Sequence, residues 1–199
     1  MSRLWQRSIV AQRDGLALVD VSFRKDLQSE FVRQCIKAME LVRQYDLRRY
    51  SRIRDAFDWV VHMELVGLKA QYWRWPAACI VDFSRFPFHK SPDTVLILLA
   101  ASLVHEATHA VLFRRGIPHT RSTYMKVERI CCLEEARFAG HVNPKLRSGY
   151  FEKRFKAVEL ERAYRAAPRM SLSILSQRWS ESRRMSNEAH QATPAPPRS

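Results

Sequence analysis

His105, Glu106 and His109 stand in the order His-Glu-Ala-Thr-His. On a helix, residues four apart lie about one turn apart on the same face, so both imidazoles reach a single metal ion. Glu106 projects beside them, where it holds a water at the metal and takes its proton. A water on zinc has a pKa of about 7, which makes hydroxide available for attack on a carbonyl. A chain of this composition contains the pattern by chance about 0.015 times. The competing account is a pair of core histidines capped by a carboxylate. Three ionisable groups in a buried helix then need partners and serve no evident purpose.

The motif requires a helix, and the flanking residues supply one. Ser91-Pro92-Asp93 is a start signal, with a Ser N-cap, Pro at the first helical position and an acid in the first turn. Arg114-Arg115-Gly116-Ile117-Pro118 is a stop signal, with cations in the last turn, Gly just past it and Pro beyond. The residues between are nearly all apolar, which predicts a central buried helix. The longest apolar run, Thr94 to Val104, has 11 residues and is too short to span a bilayer. Extending it to Phe113 places His105, Glu106 and His109 in lipid, which is costly.

A catalytic zinc takes three protein ligands and an open fourth position. Ser122-Thr123 and Gly140 bracket a second helix over about 123–139. Tyr124, Val127, Cys131 and Phe138 define its apolar stripe at about 100° per residue. Glu128 and Glu135 fall on the edge of that stripe, and Glu134 lies on the opposite flank. A carboxylate on a buried face needs a cation or a metal. Glu128 is therefore the expected third ligand, with Glu135 orienting a ligand histidine, pairing with an arginine or taking the place of Glu128. Cys131, on the same face, is a weaker candidate ligand. The other account of the two glutamates is ordinary ion pairing.

HEATHA followed by VERICCLEEARFA resembles the gluzincin branch of the zincin metallopeptidases, and most of all its small bacterial members of the minigluzincin type. The metzincin extension requires Gly at 112 and His at 115, where this chain has Leu112 and Arg115. The resemblance covers about residues 57–140. It implies zinc on His105, His109 and Glu128, with Glu106 as general base. It also implies a short sheet before the active helix, whose edge strand holds a peptide by β-augmentation. The segment 57–84 is the candidate for that sheet. A tyrosine or histidine that steadies the oxyanion is expected as well. Tyr124 and His119 are the first candidates, with Tyr150 and His141 also available.

The rest of the chain reads more coarsely. Residues 1–24 form an N-terminal segment, with a strand expected over Leu16 to Val21. Leu27, Phe31, Val32, Cys35, Ile36, Met39 and Val42 recur at helical spacing and predict an amphipathic helix from Lys25 to about Tyr45. LRRYSRIRDA, at 47–56, reads as a short basic helix that could dock an acidic partner or form a solvated face. FDWVVHMEL and AACIVDF, rich in β-branched and aromatic residues, predict two or three short strands. Gln71 to Pro76 is an aromatic cluster just before a strand, suited to core or to a substrate cleft. His62 and His89 read as structural or surface residues. Charged helices are expected over about 147–185, and a disordered Pro-rich tail over 186–199. Residues 25–185 thus form one domain, α+β and mostly helical, with a small sheet before the buried helix.

The chain has 199 residues and a net charge of +14, with 26 of its 34 basic residues being Arg. These are scattered along the chain, and no aromatic interleaving or nucleic-acid fold motif accompanies them, so nucleic acid is not the expected partner. Cys35, Cys79, Cys131 and Cys132 include no CxxC pair, which points to reduced buried thiols and a cytoplasmic protein. The N-terminus has no uninterrupted apolar core for a signal peptide, and no membrane span is expected. The expected function is zinc-dependent hydrolysis of a peptide or protein substrate, open or latent. The alternative is a non-catalytic zinc-binding module that meets an acidic partner with its basic surface.

Overall fold

The computed structural model describes residues 5–65, 69–86 and 91–146, together with 153, 155 and 156. The tail at 186–199, His89, Tyr150 and nearly all of the helices expected over 147–185 lie outside the described residues.

The fold is α+β, with a five-stranded mixed sheet and four α-helices among the described residues. Strands β1 (Ile9–Arg13) and β2 (Leu16–Asp20) form an antiparallel hairpin with Arg13 opposite Leu16. Its two-residue turn is Asp14-Gly15, with φ of 50° and 86°. Positive φ at both positions matches the right-handed twist of the flanking strands. The chain then forms α1 (Gln28–Tyr45) and α2 (Leu47–Ala56). Asp46 separates them, and its carboxylate accepts from the Arg49 N–H at 2.9 Å, capping α2. Strand β3 (Trp59–His62) follows, then β4 (Ala70–Trp73) and β5 (Ala78–Val81).

The strand order is β1-β2-β3-β5-β4. The three inner strands are parallel, and β1 and β4 run antiparallel at the edges. Parallel strands are covered on both faces, and the inner strands are accordingly continuous apolar runs. Leu16, Leu18, Val60, Cys79 and Val81 face the helices. Val19, Val61, Ala78 and Ile80 face a smaller layer closed by Trp5 and Leu65. The Trp5 ring stands 6.1 Å from Trp59 and 6.0 Å from Trp73.

The small sheet expected over 57–84 is thus three strands of a larger one. Residues 9–20, read as part of a segment apart from the 25–185 domain, contribute the other two. The aromatic cluster at 71–76 precedes β5 as expected, but its first residues, Gln71, Tyr72 and Trp73, themselves lie in β4, and Trp75 in the turn between is 81% exposed.

Helix α3 (Pro92–Arg114) packs against α1, α2 and α4 (Tyr124–Val142). It starts where the signals place it: the Ser91 hydroxyl accepts from the Thr94 N–H at 3.3 Å. At its other end Gly116 has φ of 75°. The Gly116 and Ile117 N–H groups donate to the Phe113 and Leu112 carbonyls at 2.9 and 3.0 Å, a Schellman closure. By length and composition α3 could cross a membrane, but 78% of its apolar window is buried inside this domain. The buried Ser102 and Thr108 hydroxyls donate back to the Leu98 and Val104 carbonyls, so neither is left unsatisfied.

Gly140 is not the stop of α4. The helix runs on to Val142 and ends at Asn143. Phe138 and Ala139 are fully buried and Val142 packs on the core, which holds the last turn against the conformational freedom of glycine.

Candidate metal centre

Helices α3 and α4 pack along each other and turn His105, Glu106, His109, Glu128 and Glu135 inward. The Nε2 atoms of His105 and His109 are 3.2 Å apart. Glu128 spans both, with Oε2 3.4 Å from His105 Nε2 and Oε1 3.5 Å from His109 Nε2. Zinc with ligands at about 2.0–2.1 Å in tetrahedral array has ligand–ligand edges of about 3.3 Å. The two rings stand at about such an edge from each other, and each stands at about such an edge from a different oxygen of the one carboxylate, and the donor set suits zinc.

The other ring nitrogen of His105 is held from α4 as well. Its Nδ1 lies 2.9 Å from Glu135 Oε2. Glu128 and Glu135 are two turns apart on α4, so one ring is gripped at both nitrogens by the same helix. Such a carboxylate on the far nitrogen fixes ring orientation and leaves the near nitrogen free to bind metal. Glu134, on the other flank of α4, instead pairs with Arg49, Arg52 and Arg137.

The electrostatics favour positive charge at this point. Burial acts most strongly on His105, against protonation. Hydrogen bonds with Cys132, Glu128 and Glu135 and the charge of Glu106 outweigh it and hold the imidazole well above its ordinary value. Burial is also the largest influence on Glu128, where it opposes ionisation. The hydrogen bonds from His105 and His119, with the charge of His109, overcome it and keep the carboxyl far below its usual range.

Glu106 is 4% exposed. Its charge acts on His105, on Cys131 and on Cys79 of β5. His119, in the loop joining α3 to α4, brings Nε2 to 3.1 Å from Glu128 Oε1. Its ring lies 4.9 Å from that of His109 and stacks on Tyr124 at 4.8 Å and 13°. Both first candidates for steadying an oxyanion thus border the centre. His141 does not: it lies 13 residues beyond Glu128 on α4, about 20 Å along the axis. Its ring meets Tyr45 at 5.8 Å.

All four cysteines are buried and unpaired. The sulfur of Cys131 lies within 4.8 Å of ring nitrogens of His105 and His109, and burial pushes its thiol up. Sequence reasoning missed Cys132, whose sulfur comes equally close to His105 and Glu135. Both neighbours are fully buried because α4 is covered over more than its apolar stripe. The unbroken apolar pair Ile130 and Leu133 around them was the available signal. His62 is also buried, away from this centre, against Phe31 and Phe83.

No protein-family model, curated protein or solved structure matches this chain.

Proposed function

We propose that the chain is a zinc-dependent hydrolase, and that its substrate is a peptide or protein. One observation carries the reading: two imidazole nitrogens stand 3.2 Å apart, and one carboxylate reaches both, with one oxygen 3.4 Å from the first and the other 3.5 Å from the second. His105, His109 and Glu128 hold the metal, and Glu135 orients His105. Bound zinc supplies a Lewis acid that polarises a carbonyl and lowers the pKa of water. Glu106 accepts the proton of the attacking water and delivers it to the leaving amine. The edge strand β4, which packs against α3, supports a peptide substrate. An extended chain that adds to it gains main-chain hydrogen bonds. The resemblance to gluzincins rests on the same residues. The buried, unpaired thiols support a reducing, cytoplasmic setting.

The second reading is a zinc-binding module without catalysis. The burial of the cluster and the third imidazole beside it favour that account, since closed sites are structural.

The test is zinc per chain by elemental analysis, together with hydrolysis of a peptide library. About one zinc in the wild type, lost in His105→Ala and Glu128→Ala, is expected. Glu106→Gln keeps the zinc and loses hydrolysis. A wild type that binds no added zinc overturns the proposal. Zinc binding with hydrolysis absent from wild type and Glu106→Gln alike leaves the module.

A further inference from the structure

Building on the metal reading above, we infer that His119 is a fourth protein ligand of this centre and closes it to solvent.

Three corners of the ligand tetrahedron come from two helices. Their side chains are nearly sealed: 3% exposed for His105 and 9% each for His109 and Glu128. The loop at 115–123 brings a further imidazole to the same carboxylate, that of His119, whose side chain is 34% exposed. Its Nε2 is 3.1 Å from Glu128 Oε1, again close to the edge of about 3.3 Å that tetrahedral zinc requires. His109, His119 and Glu128 each offer a ligand atom within 4.8 Å of the other two.

The loop holds that ring in place. The Thr123 hydroxyl donates to the Pro118 carbonyl, and the Thr120 N–H donates to the Thr123 hydroxyl at 3.0 Å. These bonds tie down the residues on both sides of His119. Tyr124 stacks on the ring, and the His109 ring lies 4.9 Å from it. A fixed imidazole pointed at a metal loses little freedom on binding it.

The sequence separates this residue from the trio. His105, His109 and Glu128 lie on helices whose backbone is locked, whereas His119 lies between the Schellman end of α3 and the first turn of α4. A shift of a few loop residues withdraws His119 and leaves the trio intact. The closed arrangement is then a latent form: hydrolysis requires that His119 give up the fourth position to solvent or substrate.

The experiment uses the full chain loaded with zinc. X-ray absorption at the zinc edge counts the imidazoles, and competition with a chromophoric chelator gives affinity. Three imidazoles in the wild type are expected, against two plus a solvent oxygen in His119→Ala. The variant binds zinc about 10- to 100-fold more weakly. The metal-free melting temperatures of both proteins are measured alongside, so that a loss of zinc affinity is read apart from the loss of the His119–Glu128 pair. Cobalt substitution provides an independent check, since visible absorption reports the change in ligand set. One zinc on two imidazoles in the wild type, or equal affinity in His119→Ala, overturns the fourth-ligand assignment and spares the metal reading. No zinc on the wild type overturns both.

Discussion

His105 is fixed from behind: its Nδ1 sits 2.9 Å from Glu135 Oε2, two helical turns along α4 from the carboxylate that meets its Nε2. The ring is thereby committed to one orientation. In Glu135→Ala the imidazole loses that support and zinc affinity falls about 10- to 100-fold. Glu135→Gln retains an acceptor for the Nδ1–H and loses less. Chelator competition on the three proteins gives the order wild type, Gln, Ala. Equal affinities mean that Glu135 does not hold the ring.

Gly116 sets the exit from α3 and so the start of the loop that carries His119. Its φ is 75°, and an added Cβ meets nothing within 4 Å. The cost of Gly116→Ala is therefore backbone strain alone, about 1–2 kcal/mol. Gly116→Asn, which tolerates the left-handed region, costs less. Urea unfolding of the metal-free proteins should give wild type above Asn above Ala.

Glu134 ties α4 to α2 through Arg49 at 3.0 Å and Arg52 at 3.3 Å, with Arg49 and Glu134 each 16% exposed. It also meets Arg137, which is 67% exposed. The two sides of this network differ in value. Glu134→Ala removes the inter-helix pairs and costs about 1–3 kcal/mol. Arg137→Ala removes only a screened surface pair and costs under about 0.5 kcal/mol. Denaturant midpoints distinguish the two, and added salt narrows the gap.

His62 makes the fold sensitive to acid. Its ring is fully buried, 5.0 Å from Phe31, and burial lowers its pKa against the raising charges of Asp20, Glu64 and Asp82. Lys25 also lowers it. The unfolded chain takes up a proton near pH 6.5 that the folded chain refuses. Stability therefore falls as pH drops below about 6.5, by up to about 1.4 kcal/mol per unit, until the folded-state pKa is reached. His62→Phe lacks this response. Comparing the midpoint change from pH 7.5 to 5.5 in wild type and variant isolates the effect, because every other titrating group is common to both. A variant that loses as much stability as the wild type removes His62 as the cause.

The legible parts of the sequence were those with local punctuation or a buried charge. Ser91, Pro92, Gly116 and Pro118 mark α3 because each answers a backbone demand at a helix end. Glu128 and Glu135 stood out because a carboxylate on an apolar stripe needs a partner, and α3 provides one. Strand β1 was missed although Asp14-Gly15 is a hairpin signal: the flanking IVAQR is only half-buried and lacks clean alternation. The parallel pairing of β2 with β3 joins residues 42 apart and that of β3 with β5 residues 19 apart, which no local pattern encodes. Gly140 misled because packing of Phe138 and Val142 outweighs a preference of about 1 kcal/mol. His119 was recognisable as a nearby donor, but its meeting with Glu128 depends on how one short loop closes.

Helix α3 also shapes what happens to defective copies of the protein. It is the most apolar helix among the described residues, and the sheet and the other helices hide it. Damage that loosens those neighbours does more than disorder a centre; it uncovers a long greasy cylinder to the surrounding solution. Such a surface sticks to itself and to quality-control machinery. Mutations in β2, β3 or α1, remote from every proposed ligand, will therefore show up first as lost soluble protein rather than as impaired chemistry.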